Sequence, residues 1–570
     1  MLRNQEDWTK RTPPGEVLDG DEKVYESKRE PRVKQREAIS LIEGKKSFAL
    51  IMEMRTGKTK VIVDDWGKMV EKGLVTDLLV IAPGGVYLTW ADAIPLDLPD
   101  HLMKKTKIFS WVSGKASGKA ATREMESFMS HQGPRVLAIN VEAISAVKRA
   151  RELCVEFLRQ HPGRSVVAID ESVVIKNIDS ECGKFCVNVL APLSAYRRIL
   201  SGLISPRSPL DLYNQFKFLD PKILGYDMFS SFRARYAKVN QVCMLPNKAI
   251  RGKFKALLGF NGDLDRKIKA VKPEFNLNQS RSVKMEFLEA AVAGMPRDEV
   301  IEAIGRLGGY VQTIPIIESY RNIEELHDKI KSYSFRVRLD ECYDMPSSDY
   351  SFYDVEMTKE QMKIYSNLKA FATAELSFEE HVTAHHVVTQ MLRLHQVLCG
   401  HTKDERGKIH LIPEKRTRAV LEILDSFSGK AVIWCSYDVD IRKVSEAISE
   451  EFGKGSIARF WGGNLKTREE EERSFKTDPA CRFMVATPDA GGRGRTWDVA
   501  DLVIYYSSRN NLDHRAQSED RVKGVGKTTP IAYVDLRVRG TVEEKIIEAL
   551  REKMDLSAIV NGDDWREWLI

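Results

Sequence analysis

Two short groups of residues in this 570-residue chain have the types and the spacing of a phosphoryl-transfer site. The first reads Thr56-Gly57-Lys58-Thr59 and lies between the apolar runs 48–51 and 61–63. A strand that leads into a Gly-Lys-Thr turn and then a helix directs backbone N–H groups and a lysine at a phosphate. The full phosphate-loop pattern has a glycine where this chain has Met52, so an ordinary lysine-bearing turn stays open as the alternative.

The second group is a pair of adjacent carboxylates, Asp170 and Glu171, at the end of the apolar run 165–169. An aspartate at a strand end can hold Mg²⁺, usually through water, while the following glutamate polarises the water that attacks a phosphate. The order strand, phosphate loop, strand and acidic pair predicts the hydrolysis of ATP or GTP.

Further segments occur in the order of a known set of helicase motifs. They are Pro31–Gln35, Leu79–Pro83 with Trp90, Val136–Asn140, Ile199–Gly202, Ala431–Ser436, Ala486-Thr487 with Gly491 and Gly492, and Gln517 with Asp520 and Arg521. With the phosphate loop and the acidic pair, they make the chain resemble the superfamily 2 helicases and translocases, in particular the SWI/SNF-type branch and its compact phage and bacterial members. The resemblance covers most of the chain outside a central insert, and it rests on the order and spacing of the motifs.

The resemblance implies that ATP and Mg²⁺ bind in a cleft between two halves of the chain. It assigns ATP binding to Gln35, Thr56, Gly57, Lys58, Thr59, Gly492 and Arg521, Mg²⁺ binding to Thr59 and Asp170, and catalysis to Lys58, Asp170, Glu171 and Arg521. In this assignment Gln35 reads the adenine edge, which favours ATP over GTP. Arg521 reaches from the second half of the chain to the γ-phosphate, so hydrolysis changes how tightly the halves close.

The resemblance also implies a DNA partner, either duplex or branched. The residues assigned to the nucleic acid are Pro83, Trp90 and Asn140 in the first half and Ser436, Thr487 and Gly491 in the second. Each of the six has an alternative role as a turn residue, a cap or core packing, and for Trp90 the core alternative is the strongest. The branch usually moves on duplex DNA without separating its strands.

The chain departs from the family pattern at two places that bear on activity. Leu203 and Ile204 stand where motif III has Thr-Pro, and Gly524 stands where motif VI has a second arginine. Loss of an arginine that neutralises transition-state charge can lower a rate by roughly 10³–10⁵. Either Arg493 or Arg495 substitutes, or the enzyme is slow. A nucleic-acid-binding remodelling scaffold with a vestigial ATPase is therefore the alternative function, and an RNA-directed relative is a third.

The elements that must position these residues follow from the alternation of apolar runs with amphipathic stretches. It predicts an α/β fold of two RecA-like parallel-sheet lobes in tandem with a mainly helical insert. The predicted divisions are an N-terminal arm (1–30), lobe 1 (31–225), the insert (226–320), and lobe 2 (321–570) with a C-terminal helix over 541–554 and a docked tail over 563–570. Strands are predicted around residues 48, 78, 108, 136, 166 and 199 in lobe 1, and over 431–436, 456–460, 483–487, 502–506 and 531–536 in lobe 2.

Composition limits the class of protein. A chain of 570 residues with 43% hydrophobic and 30% charged residues is an ordinary globular composition, too long for a single core. No apolar run has membrane-spanning length, and no signal peptide or membrane partner is predicted, so we expect a cytoplasmic protein of a bacterium or of a phage-infected cell. The eight cysteines show no zinc-site spacing, so reduced thiols are expected.

Charge is concentrated in the insert. Between Phe232 and Lys284 thirteen basic and three acidic residues give a net charge of +10, against +6 for the whole chain. Such a segment can follow a nucleic-acid backbone. A contact with a protein partner, or a solvated surface without a ligand, is the alternative.

Overall fold

The computed structural model describes residues 25–84, 86–112, 119–206, 208–244, 282–284, 296–306, 310–344, 347–378, 384–404, 406–488, 496–508, 512–524 and 526–547. The strands are β1 (Ser47–Met52), β2 (Asp77–Ala82), β3 (Lys107–Ser110), β4 (Arg135–Asn140), β5 (Ser165–Asp170), β6 (Tyr196–Ser201), β7 (Ala237–Met244), β8 (Ser282–Lys284), β9 (Tyr310–Tyr320), β10 (Ser334–Val337), β11 (Ser348–Asp354), β12 (His401–Lys403), β13 (Ile409–Leu411), β14 (Ala431–Trp434), β15 (Ile457–Phe460), β16 (Phe483–Ala486), β17 (Leu502–Tyr505) and β18 (Ile531–Arg537).

The α-helices of the same residues are α1 (Val33–Ile42), α2 (Lys58–Glu71), α3 (Thr89–Asp97), α4 (Asp100–Met103), α5 (Lys119–Met129), α6 (Val141–Ala146), α7 (Lys148–Gln160), α8 (Glu181–Phe185), α9 (Ala191–Leu193), α10 (Leu212–Leu219), α11 (Pro221–Leu224), α12 (Phe229–Tyr236), α13 (Arg297–Arg306), α14 (Ile323–Lys331), α15 (Lys359–Phe378), α16 (Ala384–Leu398), α17 (Arg416–Asp425), α18 (Asp438–Phe452), α19 (Arg468–Thr477) and α20 (Leu512–Glu519). Residues 542–547 are also helical, within the predicted C-terminal helix.

Lobe 1 is built on a seven-stranded parallel sheet with the strand order β10-β1-β6-β5-β2-β4-β3. Every residue of β1, β2 and β5 is buried, because two apolar cores cover the two faces of the sheet. Strands buried on both faces read as continuous apolar runs, and these are the runs from which the sequence predicted strands. All six strands predicted for lobe 1 are present.

The boundary predicted between the insert and lobe 2, at residue 321, is wrong. β10 pairs in parallel with β1 at the edge of the first sheet, with Ala49 opposite Ser334 and Met52 opposite Val337. Two side chains of α14, Leu326 and Ile330, lie in a lobe 1 core. The chain therefore returns to lobe 1 after the insert, and it passes to lobe 2 after residue 344. β10 reads Ser-Phe-Arg-Val with only Phe335 and Val337 buried, so it lacks the continuous apolar run from which the other strands were predicted.

The insert is not mainly helical in the residues that the structure describes. β7 pairs antiparallel with both β8 and β9, which gives a three-stranded sheet, accompanied by the single described helix α13. The insert also begins later than predicted, because Phe232 and Tyr236 are fully buried in a lobe 1 core. β7 leaves lobe 1 beside the returning β9, with Ala237 opposite Tyr320, so two adjacent strands join the insert to lobe 1.

Lobe 2 is built on a six-stranded parallel sheet with the order β11-β18-β17-β14-β16-β15. The five strands predicted for this lobe are present, and α17, α18 and their neighbours cover an apolar core on one face. The predicted α/β fold of two parallel-sheet lobes is thus confirmed. The predicted tail and residues 1–24 of the predicted arm lie outside the described residues. Over the part of the chain described, none of the helices combines the length and the apolar character needed to cross a membrane.

Candidate active site at the seam between the lobes

The phosphate loop joins β1 to α2, and its backbone needs glycine at residue 57. Gly57 has φ 92°, and a Cβ there would lie 2.0 Å from Nε2 of Gln35. Gln35 supports the loop because its Nε2 donates to the Thr56 carbonyl (3.0 Å) while its Oε1 accepts from the Arg32 N–H (3.0 Å). Thr56 is buried, and its hydroxyl donates to the Glu53 carbonyl (2.7 Å). The conformation of the loop is therefore stabilised by the Gln35 side chain of α1 and by the Thr56 hydroxyl of the loop itself.

The loop lysine and the acidic pair meet at the carboxyl ends of β1 and β5. Lys58 Nζ donates to the Met52 carbonyl (2.8 Å) and lies 3.9 Å from Oε1 of Glu171. Glu171 has left-handed backbone (φ 49°), a conformation that is uncommon for residues other than glycine and that recurs at functional sites. The first-lobe residues that the sequence assigned to phosphoryl chemistry are therefore brought together.

Trp90 supports the acidic pair and is not placed to touch a nucleic acid. Its side chain is fully buried, and its indole N–H donates to Oδ2 of Asp170 (3.0 Å). The other oxygen of Asp170 accepts from the Glu171 N–H (3.0 Å). The assignment of Trp90 to the nucleic acid is wrong, because a side chain inside the core cannot contact a ligand outside it. The sequence did hold the core alternative open.

The donor chemistry of Thr59 and Asp170 fits a magnesium ion. Thr59 is half-buried in the first turn of α2, and Asp170 is 5% exposed at the end of β5. Hydroxyl and carboxylate oxygens are the ligands that Mg²⁺ prefers, and it commonly keeps several waters beside one or two protein ligands. Each carboxylate oxygen of Asp170 accepts one hydrogen bond and retains a lone pair for the ion or for its waters.

The Arg521 segment of lobe 2 lies against the phosphate loop of lobe 1. Arg55, in the loop, donates from Nη2 to the Thr496 hydroxyl (3.0 Å) and to the Arg521 carbonyl (3.3 Å). The side chain of Arg521 itself is 1% exposed. Lys58 and Glu171 therefore lie beside a loop that contacts the backbone of Arg521, and the predicted contact of the Arg521 side chain with the nucleotide stays a prediction.

Half-buried charged groups next to these contacts, Glu53 of lobe 1 and Asp520 and Lys523 of lobe 2, interact across the same seam. Burial raises the pKa of Glu53 above its ordinary value, and the nearby Asp520 of lobe 2 adds to the rise. Glu53 accepts from the Leu339 N–H (2.8 Å), which follows β10. The Lys523 ammonium lies 3.8 Å from Oδ1 of Asp520, and the electrostatic influence of Glu53 extends to it as well. Charged side chains of the two lobes thus lie close enough to influence one another beside the loop.

Gly524, at the position of the missing motif VI arginine, lies where a larger residue does not fit. A Cβ there would lie 2.4 Å from Cβ of Asp498, closer than real Cβ atoms approach one another. An arginine at this position would displace the turn that carries Asp498. The departure from the family pattern is therefore built into the packing of lobe 2.

The remaining residues assigned to the nucleic acid differ in accessibility. Asn140 is half-exposed at the end of β4, with its Nδ2 donating to Glu142 (3.1 Å), whereas Pro83 is buried in the turn after β2. Ser436 is 6% exposed, and its hydroxyl donates to the Ser507 carbonyl (2.8 Å). Thr487 is 9% exposed, and its N–H donates to the Phe460 carbonyl (3.2 Å). Of these four side chains, Asn140 is the most accessible.

Four residues that the sequence singled out shortly after Thr487 lie outside the described residues. They are Gly491, Gly492, Arg493 and Arg495. Their assignments stay predictions.

The motif III departure replaces a polar pair with an apolar contact between the lobes. Leu203 packs against a cluster of lobe 2 side chains formed by Met391, Leu512, Val542 and Ile546. Ile204 is buried in lobe 1. The sequence indicated the loss of a polar link at this place, and the structure adds an apolar contact in its stead.

Sequence reasoning missed the contribution of Arg55 and Glu53 to the seam. Both lie in the turn between β1 and Thr56, just before the residues from which the phosphate loop was predicted. The contact itself joins residues more than four hundred positions apart, which periodicity cannot predict.

Comparisons with known proteins bear mainly on lobe 2. Residues 415–525 match the family model of the helicase conserved C-terminal domain. The matched range holds Ser436, Thr487 and Arg521, so it includes the lobe 2 segments that carry the helicase resemblance. Lobe 2 therefore carries the helicase part of the resemblance.

Curated relatives share short segments with the chain. The chromatin-remodeling ATPase INO80 of Candida albicans is 31% identical over 99 residues, which are 17% of this chain and 7% of that protein. The lymphoid-specific helicase of Homo sapiens is 33% identical over 93 residues (16% and 11%). Protein CHROMATIN REMODELING 19 of Arabidopsis thaliana is 28% identical over 175 residues (30% and 23%).

These relatives are named as a chromatin-remodeling ATPase, a helicase and a chromatin remodeling protein, and the matches leave most of each relative uncovered. The chain spans between 7% and 23% of the length of the three relatives. All three are eukaryotic, so they give no support to the expected likeness to phage or bacterial proteins. Among solved structures, the Sulfolobus solfataricus SWI2/SNF2 ATPase core in complex with dsDNA aligns over 96% of both chains at 18% identity, with a TM-score of 0.36 that is too low to carry an argument.

Proposed function

We propose that this chain is an ATP-dependent DNA translocase or helicase, which couples ATP hydrolysis to movement on, or remodelling of, duplex or branched DNA. One observation carries the proposal. The Lys58 ammonium lies 3.9 Å from the Glu171 carboxylate, and Arg55 of the same loop donates to the backbone of the Arg521 segment in the other lobe. A triphosphate bound at this loop touches both lobes, so its cleavage changes their closure.

The residues at the loop divide the chemistry between them. In hydrolysis, a water oxygen bonds to the γ-phosphorus while the bond from that phosphorus to the β–γ bridging oxygen breaks. The electron pair of the broken bond stays on ADP, and the proton that the water loses passes to Glu171. Lys58 binds β- and γ-phosphate oxygens, and Gln35 reads adenine from its place beside Thr56. When bound by Thr59 and Asp170, Mg²⁺ neutralises charge that develops on the phosphates.

The DNA partner is supported by separate observations. The matched relatives include proteins named as a chromatin-remodeling ATPase and a helicase. The segment 232–284 holds thirteen basic and three acidic residues, a balance suited to a phosphate backbone. We propose that lobe closure, with Asn140 on lobe 1 and Thr487 on lobe 2 near the track, moves the protein along DNA.

The test is ATP turnover measured without DNA and with duplex, forked, single-stranded and junction DNA. We expect stimulation by duplex or branched DNA, and a loss of turnover on Lys58→Ala, because the loop then lacks its phosphate-binding cation. Lys72→Ala is the matched control: this lysine belongs to the same region, its side chain is 59% exposed, and its pair with Glu43 contributes about 0–1 kcal/mol at most. The proposed translocase or helicase is contradicted if DNA does not stimulate ATP turnover and Lys58→Ala does not reduce it.

The second candidate is a nucleic-acid-binding remodelling scaffold with a vestigial ATPase. The specific observation in its favour is the packing of Gly524 against Asp498, which leaves no room for the usual second arginine. DNA binding that survives Lys58→Ala, without any ATP turnover in the unaltered protein, would favour it. Structured RNA that displaces duplex DNA from the protein would instead indicate an RNA-directed enzyme.

A further inference from the structure

We propose that Arg55 supplies, from within the phosphate loop, the arginine that contacts the γ-phosphate in place of the residue missing at Gly524. The inference rests on the proposed ATP hydrolysis and deepens it, because it names a further residue of that site. It also differs from the substitution by Arg493 or Arg495 that the sequence suggested.

The position at Gly524 cannot be refilled without moving lobe 2. The Cβ of any other residue would lie 2.4 Å from Cβ of Asp498, and 2.7 Å from one of its carboxylate oxygens. A site that cleaves a triphosphate still needs cationic donors for the charge that forms on the phosphoryl oxygens. The compensating group must therefore come from another segment that reaches the seam.

The backbone of Arg55 is held in a conformation that glycine would adopt more easily. Its φ is 67°, in the left-handed region, where a residue with a side chain is strained. Such positions persist where the surrounding structure or a function requires the side chain. At Arg55 the side chain is kept despite the strain, in the loop that would hold the phosphates.

The guanidinium of Arg55 has donors to spare. Nη2 contacts the Thr496 hydroxyl and the Arg521 carbonyl, whereas Nη1 is buried and makes no hydrogen bond with the residues that the structure describes. A buried donor without a partner is unfavourable. Burial also lowers the pKa of Arg55 from its ordinary value, although Asp520 and Asp498 offset part of this. An anion at the loop would relieve both effects.

Lys523, the other cation considered at the seam, is already paired with an acidic side chain. Lys523 precedes Gly524, but its ammonium lies 3.8 Å from Asp520, and Glu53 also acts on it. Arg55 has the planar fork that binds two phosphate oxygens at once, which a lysine lacks. The present acceptors of Arg55 belong to lobe 2. A shift of Arg55 from those acceptors to a γ-phosphate would therefore also change the contact between the lobes when ATP binds.

The test compares Arg55→Gln, Arg55→Lys and Arg55→Gly with the unaltered full chain. We expect kcat for ATP hydrolysis to fall on the order of 10³-fold in Arg55→Gln and Arg55→Gly, and less in Arg55→Lys, which keeps the charge. Arg55→Gly relieves the left-handed backbone, so it should fold at least as well as the unaltered chain. The control is Arg36→Gln, an exposed arginine of α1 that pairs with Glu30.

A binding measurement separates contact with the γ-phosphate from a role in holding the lobes together. Affinity is measured for ADP and for ADP with aluminium fluoride, which mimics the phosphoryl group in transfer. We expect Arg55→Gln to weaken binding of the fluoride complex selectively and to leave ADP binding nearly unchanged. An equal loss for both ligands would reduce Arg55 to a contact between lobes and overturn the inference.

The remaining outcomes are distinguishable. Normal turnover in Arg55→Gln, with loss in Lys523→Met, assigns the role to Lys523 and overturns this inference while the ATPase stands. An unaltered protein that neither hydrolyses ATP nor binds the fluoride complex overturns the proposed function, and this inference with it.

Discussion

The strand ends of the two lobes carry polar residues in both sheets, but the two sets are used differently. In lobe 1, β5 ends in Asp170 and a left-handed Glu171, and β1 ends in the loop of Lys58, so the groups face the seam. In lobe 2, the hydroxyls of Ser436 and Ser507, which follow β14 and β17, are hydrogen-bonded within the lobe.

The difference shows that a polar residue after a parallel strand does not by itself mark a ligand site. Ligands bind outside the carboxyl ends of such strands, which is why both sets were candidates. In lobe 2, however, the Ser507 hydroxyl donates to Asp440 (3.0 Å), a fully buried carboxylate. The polar groups there mainly stabilise the lobe, whereas those of lobe 1 are arranged for a substrate.

The largest effect is expected from breaking the buried ion pair of lobe 2. Both Nη2 contacts of Arg416 with the Glu543 carboxylate are 2.6 Å long, and the two side chains are 1% and 5% exposed. Arg416→Met leaves the carboxylate buried without its cation, so we expect a loss of about 3–5 kcal/mol in the free energy of unfolding, measured by urea denaturation. Arg418→Met is the control, since its side chain is 83% exposed and its ion pair within the described residues is with Glu422.

The same pair predicts a pH dependence. Burial alone would raise the pKa of Glu543, but Arg416 and His395 lower it below its ordinary value of 4.5. Because the folded-state pKa is depressed, the stabilisation is present above pH 4.5 and is lost as the pH falls through the folded-state value. The double variant Arg416→Met/Glu543→Leu should lose less stability on acidification. If the double variant and the unaltered protein lost equal stability on acidification, this ion pair would not be the main cause of the acid sensitivity.

A middle-sized effect is expected from Trp90→Phe in lobe 1. Phenylalanine keeps most of the buried ring but removes the indole donor from Asp170. Trp66→Phe is a matched control, because Trp66 is equally buried and its Nε1 has no hydrogen-bond partner among the described residues. We expect Trp90→Phe to be less stable than the control by about 1–3 kcal/mol in thermal or urea unfolding. ATP turnover should fall in Trp90→Phe alone, and equal turnover in both variants would count against a positioning role.

The smallest effects are expected where the two lobes offer candidate DNA contacts. Ser436→Ala should lower the free energy of unfolding by about 0.5–1.5 kcal/mol through the Ser507 bond and leave DNA affinity unchanged. Asn140→Ala should weaken duplex binding roughly fivefold, the equivalent of about 1 kcal/mol, with little change in stability. Fluorescence titration with labelled duplex at one fixed salt concentration measures the DNA affinity of both variants, and urea denaturation measures their free energy of unfolding. Weaker binding only in Ser436→Ala would reverse the comparison.

The sequence predicted the fold where apolar runs were long and buried, as in β1, β2 and β5. It failed where a strand was not a continuous apolar run or lay outside a core: only Phe335 and Val337 of β10 are buried, and β7 and β9 belong to a small antiparallel sheet. For the site, residue types and order were enough to bring Lys58 to Glu171. They could not indicate that Trp90 donates to Asp170 or that Arg55 reaches Thr496, because both contacts depend on how distant segments pack.

The position of β10 has a practical consequence for anyone who divides the chain into fragments. A fragment of lobe 1 that stops at residue 320 would leave one edge of β1 without its neighbour and expose a row of N–H and C=O groups next to the phosphate loop. Open edges of this kind pair with other chains and lead to aggregation. A cut after residue 344 would keep the edge covered, together with the Leu339 N–H that Glu53 accepts and the Tyr343 hydroxyl that donates to the Arg55 carbonyl.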